Sequence, residues 1–114
     1  MLFENLKIRD VNLKNRVVVS PMCQYSAKDG YIQTHHKTHY GQLAMGGAGL
    51  IFLEATGVTA QGRITNGCLG IWDDKQIDGL REITQSIKIL GSSPAIQLGL
   101  SLIHISEPTR QPII

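Results

Sequence analysis

Hydrophobic positions along the chain change period several times, and each change marks a predicted element. Phe3, Leu6, Ile8, Val11 and Leu13 alternate with polar residues over an opening segment that suits a short hairpin. Leu13-Lys14-Asn15-Arg16 then leads into Val17-Val18-Val19, a β-branched run predicting a first core strand over Arg16 to Ser20. Pro21 ends it, because proline lacks a ladder donor and restricts the residue before it. A polar loop follows, with a turn at Lys28-Asp29-Gly30. From about His35 to Met45 the spacing becomes helical, with Tyr40, Leu43 and Ala44 on one face, and Gly46-Gly47 supplies the stop.

Gly49 to Ala55 is apolar almost throughout, as in a strand covered on both faces of a parallel sheet. Gly57 to Trp72 reads as a long loop with turns at Gln61-Gly62 and Asn66-Gly67. Asp73 suits a helix cap, with Gln76 three residues on. Ile77, Leu80, Ile83, Ile87 and Leu90 recur at near-helical spacing before Gly91, and Pro94 to Leu98 predicts a third strand. The order β-α-β-α-β permits a doubly wound sheet or the opening of a (β/α)8 barrel. A dinucleotide-binding sheet requires G-x-G-x-x-G directly after its first strand. Gly46-Gly47-Ala48-Gly49 precedes a strand and lacks the third glycine, so the barrel is preferred. A whole barrel takes about 250 residues. The fold class expected is therefore α/β, the truncated N-terminal part of a TIM barrel, with an open sheet edge that invites aggregation.

Composition narrows the function classes. An apolar share of 42% and a charged share of 18% describe a soluble globular chain. A net charge of +2 with unclustered basic residues implies no nucleic-acid partner. No apolar run approaches the roughly 18 to 20 residues of a membrane span, and the first residues carry no secretory pattern. Two cysteines make no disulfide framework, so a reducing cytoplasmic setting is expected.

Ser20-Pro21-Met22-Cys23-Gln24-Tyr25 sets a thiol and a phenol just past the carboxyl end of the first core strand, the edge where α/β folds gather ligands. With Glu54-Ala55, Gln97, Gln61-Gly62-Arg63-Ile64-Thr65 and Leu69-Gly70-Ile71-Trp72, this stretch resembles the Old Yellow Enzyme family of FMN-dependent ene-reductases, in its bacterial cysteine-containing branch. The resemblance covers nearly all of residues 1–99. It implies FMN as cofactor, NAD(P)H as reductant, a small enone or enal substrate, no membrane partner and a homo-oligomeric parent. Ser20, Pro21, Met22, Cys23, Ala55 and Gln97 would contact the flavin, Ala55 and Gln97 at its pyrimidine portion. Cys23 would modulate the ring's redox behaviour through its weak S–H donor. Tyr25 would donate a hydrogen bond to the substrate carbonyl. Taken without the resemblance, Cys23 is a small apolar residue, Tyr25 an interfacial aromatic, Ser20 to Met22 a strand terminator and Gln97 a polar strand end.

His35 and His39 have a helical metal-ligand spacing, but no third ligand is evident and no metal site is expected. Cys68, in the loop after Asn66-Gly67, reads as an incidental thiol rather than a redox partner of Cys23, and Arg63 and Trp72 as residues that order their loop. The family's substrate histidine pair, proton-donating tyrosine and phosphate-binding arginines would come from later strands. The departure falls after Gln97-Leu98-Gly99, where His-Ala-Gly-Arg would usually follow. From Leu100 to Arg110, eleven consecutive residues resemble the in-frame translation of a sequencing-library adaptor. The expected division is residues 1–99 as a partial FMN-binding barrel domain and 100–114 as a non-native tail, the alternative being a genuine strand from Leu100 to Ile105. Such a fragment is expected to be inactive and to hold FMN weakly or not at all. Its rivals are a nucleotide-binding module without redox chemistry and an assembly fragment whose open edge pairs with another chain.

Overall fold

The computed structural model describes residues 1–101; most of the tail lies outside them. Strands β1 (Leu6–Ile8) and β2 (Val11–Leu13) form the expected antiparallel hairpin. Strand β3 is only Val18–Val19, shorter than the β-branched run suggested. Helix α1 (Thr34–Met45), strand β4 (Leu50–Gly57), strand β5 (Leu69–Gly70), helix α2 (Ile77–Ile89) and strand β6 (Ser93–Gly99) follow. All pairings within the main sheet are parallel, with β4 at the centre between β3 and β6. Sequential strands therefore lie side by side, as the opening of a barrel requires.

The helices cover one face of this sheet. Ile51 and Leu53 of β4 meet Tyr40 and Ala44 of α1 and Leu80, Ile83 and Ile87 of α2 in a single core. Helix α2 supplies an ordinary apolar stripe, whereas α1 buries His36, Tyr40 and Ala44, one residue per turn and two of them polar. Its end matches expectation: Gly47 takes a positive φ of 96°, where a side chain would be strained. The start of the second helical segment is fixed by Gln76, which is buried. Its Oε1 accepts the N–H groups of Trp72 and Asp73 at 2.9 and 3.2 Å, while its Nε2 donates to the Asp29 carbonyl at 3.0 Å. That last bond ties the Lys28-Asp29-Gly30 turn to the helix. Among the described residues no helix is long and apolar enough to cross a membrane.

Candidate active site

The predicted rim is built around the carboxyl end of β4. Strand β6 pairs along one edge of β4 from Leu50 to Gly57. The opposite edge is shared: β3 takes Leu50 and Ile51, and β5 takes Thr56 and Gly57. The loop read from Gly57 to Trp72 thus contains a short strand, and that strand occupies the edge that β3 vacates. The segment after Val19 is free to turn across the strand ends, carrying Cys23 with it.

A β-bulge completes the register. Leu53 pairs with Ile96 and Ala55 with Gln97, so Glu54 is the extra residue on β4. Without it Gln97 would stand opposite Glu54. The bulge sets Ala55 and Gln97 side by side on the rim and turns the Glu54 side chain inward. Cys23, Ala55 and Gln97 then line one cavity of about 380 Å³, together with Arg63, Cys68 and Leu98. Gln97 is exposed, and its carboxamide has no hydrogen-bond partner among the described residues. Arg63 stacks over the Trp72 ring at 5.1 Å and donates to the Ala60 carbonyl at 2.9 Å, which holds this wall of the cavity in shape.

The other predicted residues fall outside that cavity. Ser20 is exposed, Pro21 half-buried and Met22 exposed. Tyr25 is 61% exposed, its backbone held at a φ of 54°. A left-handed conformation is unusual for an aromatic residue, and such strain gathers at binding sites. Gln24, between the two candidates, anchors the segment: its N–H donates to Glu54 at 3.4 Å, and its side chain meets His35 Nε2 at 2.9 Å.

Beneath the rim lies a polar cluster that periodicity did not single out. Glu54 and His36 are fully buried. The Tyr40 hydroxyl donates to Glu54 Oε2 at 2.7 Å and accepts the Glu54 N–H at 2.9 Å. His36 Nδ1 accepts the Gln33 N–H at 2.9 Å, so a neutral ring carries its proton on Nε2. That Nε2 is 3.8 Å from Glu54 Oε1 and has no hydrogen bond. Burial raises the Glu54 carboxyl above its ordinary range, partly offset by the bonds from Tyr40 and Gln24. Burial likewise lowers His36, with His35 adding to the effect. Both groups are pushed toward their neutral forms. The Cys23 thiol is raised by burial first, then by Cys68 and Glu54, with the Ala55 N–H pulling it back. No three potential metal ligands converge among the described residues.

Comparison with known proteins gives a consistent picture. The family model described as NADH:flavin oxidoreductase / NADH oxidase matches residues 1–110. An NADPH dehydrogenase of Bacillus licheniformis is 48% identical, over 98% of this chain and 38% of its own length. That of Geobacillus thermodenitrificans is 52% identical, over 98% of this chain and 32% of its own. The chain thus spans about a third of the curated relatives it matches. Among solved structures, morphinone reductase superposes with a TM-score of 0.81 at 29% identity, covering 97% of this chain and 30% of that one. The Old Yellow Enzyme homologue from Zymomonas mobilis superposes at 0.80 with 30% identity, covering 88% and 28%.

Proposed function

The chain belongs to the NADH:flavin oxidoreductase / NADH oxidase family, and on that premise we propose that it is the N-terminal part of an FMN-dependent NAD(P)H oxidoreductase acting on the activated C=C bond of α,β-unsaturated carbonyl compounds. The observation that carries this reading is the convergence of Cys23, Ala55 and Gln97 on one cavity at the carboxyl ends of parallel strands. A bound FMN would supply the hydride chemistry, taking reducing equivalents from NAD(P)H. The chain's own residues suit a flat heteroaromatic ring there. Gln97 offers a donor and an acceptor from one carboxamide, Ala55 leaves the rim open, and Cys23 presents a weak S–H donor. The exposed phenol of Tyr25 would donate to the substrate carbonyl and withdraw electron density from the alkene.

Residues 1–99 constitute the barrel part in this reading, and the stretch from Leu100 onward is a non-native tail. Leu100 lines the cavity and Ser101 donates to the Gly62 carbonyl at 2.7 Å, so the tail's first residues stand where further rim would be. The core strands among the described residues supply only part of such a flavin site, and the 114-residue chain is expected to bind FMN weakly or not at all. Equilibrium titration with FMN, followed by the flavin spectrum and by filtration, tests this. A stoichiometric yellow complex would overturn it. The activity itself is tested on the parent, recovered by extending the reading frame in the source DNA and placed in a reducing, cytoplasmic-type buffer. NAD(P)H-dependent loss of 2-cyclohexenone absorbance is expected, and a flavoprotein that turns over no enone would refute the substrate assignment.

A further inference from the structure

We propose that Cys23 and Cys68 form an intramolecular disulfide when the rim cavity meets a hydroperoxide. They are the only two cysteines in the chain, they lie in two connecting segments far apart in sequence, and both line the same cavity. Their segments run side by side. The Ala27 N–H donates to the Gly67 carbonyl at 3.0 Å, and a Cβ placed on Gly67 would sit 2.7 Å from the Tyr25 carbonyl oxygen and 2.9 Å from its Cα. Backbones held this closely two to four residues after Cys23 and one residue before Cys68 bring the two thiol-bearing segments together, as a disulfide's short span requires. Cys23 is half-buried and faces the cavity, whereas Cys68 is 2% exposed. The Cys68 sulfur is fixed by Thr65, whose N–H lies 3.4 Å and whose Oγ1 lies 3.6 Å from it.

The chemistry follows the exposure. The Cys23 thiolate attacks a hydroperoxide oxygen, the O–O bond breaks, and the alcohol or water leaves with Cys23 as its sulfenic acid. The Cys68 sulfur then attacks the Cys23 sulfur. The S–S bond forms, the S–O bond breaks, and the hydroxyl departs as water with the Cys68 proton. Two thiols are oxidised by two electrons and one hydroperoxide is reduced. Because burial and the neighbouring Cys68 raise the Cys23 thiol, the first step accelerates with pH through and beyond the ordinary thiol range. The bond would remove the S–H donor from the rim, and thiol reagents restore it.

The test uses the 114-residue chain without flavin, so it can fail while the flavin reading stands, and the reverse. Stoichiometric hydrogen peroxide is added, and intact mass and free thiols are followed. The expected product is a monomer lighter by two hydrogen atoms, with both thiols lost together and regained with dithiothreitol. It should form about tenfold faster or more in buffer than in concentrated urea, since only the fold holds the sulfurs together. Cys68→Ser should instead accumulate a dimedone-trappable sulfenic acid at Cys23. A surviving thiol after Cys23 is oxidised, an interchain dimer as the product, or equal rates with and without urea would each overturn the proposal.

Discussion

Tyr25 and Gly67 form a pair at the scale of single residues. Tyr25 sits at a φ of 54°, a conformation that costs a residue with a side chain about 1–2 kcal/mol. Gly67 permits it by letting the 65–68 turn close against the Tyr25 backbone. Gly67→Ala would force a Cβ to within 2.7 Å of that backbone, and a loss of about 1–3 kcal/mol in urea unfolding is expected. Gly41, inside α1 with nothing within 4 Å of its would-be Cβ, is the contrast. Gly41→Ala should add about 0.5–1 kcal/mol, because glycine loses most entropy in a helix. If both substitutions moved stability the same way, the close approach at Gly67 would not be what holds Tyr25. The chemistry of Cys23 and Gln97 was legible from residue type and place alone. The left-handed Tyr25 was not, since nothing in Gln24-Tyr25-Ser26 demands it and the constraint comes from a turn forty residues on.

Among the elements, what the pattern made visible was what one period can encode. Helix α2 and its Asp73–Gln76 cap follow from apolar spacing and capping chemistry, and β4 from a continuous apolar run. Strand β5 was hidden because two residues between turns carry no period. The Glu54 bulge was hidden because a single extra residue leaves the run apolar, yet it decides that Ala55 rather than Glu54 faces Gln97. The apolar face read on α1 conceals a buried His36–Tyr40–Glu54 cluster whose titration is measurable. The lowered His36 value means the unfolded chain takes up a proton near its ordinary 6.5 while the folded chain resists it. His36 therefore costs no stability above that pH, and its contribution is lost as pH falls below it toward the folded value. The raised Glu54 acts in the opposite sense, favouring the fold as pH drops through its own folded value. His36→Asn keeps an acceptor for the Gln33 N–H and removes the imidazole. Urea midpoints at about pH 7.5 and about pH 5.5 should fall more toward acid in the native sequence than in the variant. Equal acid losses would mean that His36 is not held neutral by burial.

For the molecule as a whole, the consequence of three core strands is exposed ladder. Among the described residues β3 and β6 each pair only with β4, so both outer edges of the sheet are unpaired. Both edges are guarded only in part: β3 is two residues long and β6 carries Pro94, yet Val17 and Val18 are exposed on one edge and Leu98 is 61% exposed on the other. A bare apolar edge templates another strand, and a charge placed on it opposes that pairing at little cost to the fold. Val18 is 48% exposed and lies outside the core, so Val18→Lys separates edge pairing from folding. Light scattering and size exclusion across a concentration series should find the native sequence associating without a fixed size, and the variant shifted toward monomer. Its urea midpoint should stay within about 0.5 kcal/mol of the parent, as for surface substitutions generally. An oligomer of one defined size that survives Val18→Lys would instead point to a built interface elsewhere. In that case the open edge would not govern association, and the chain's solution behaviour would fit an assembly fragment better than an exposed piece of barrel wall.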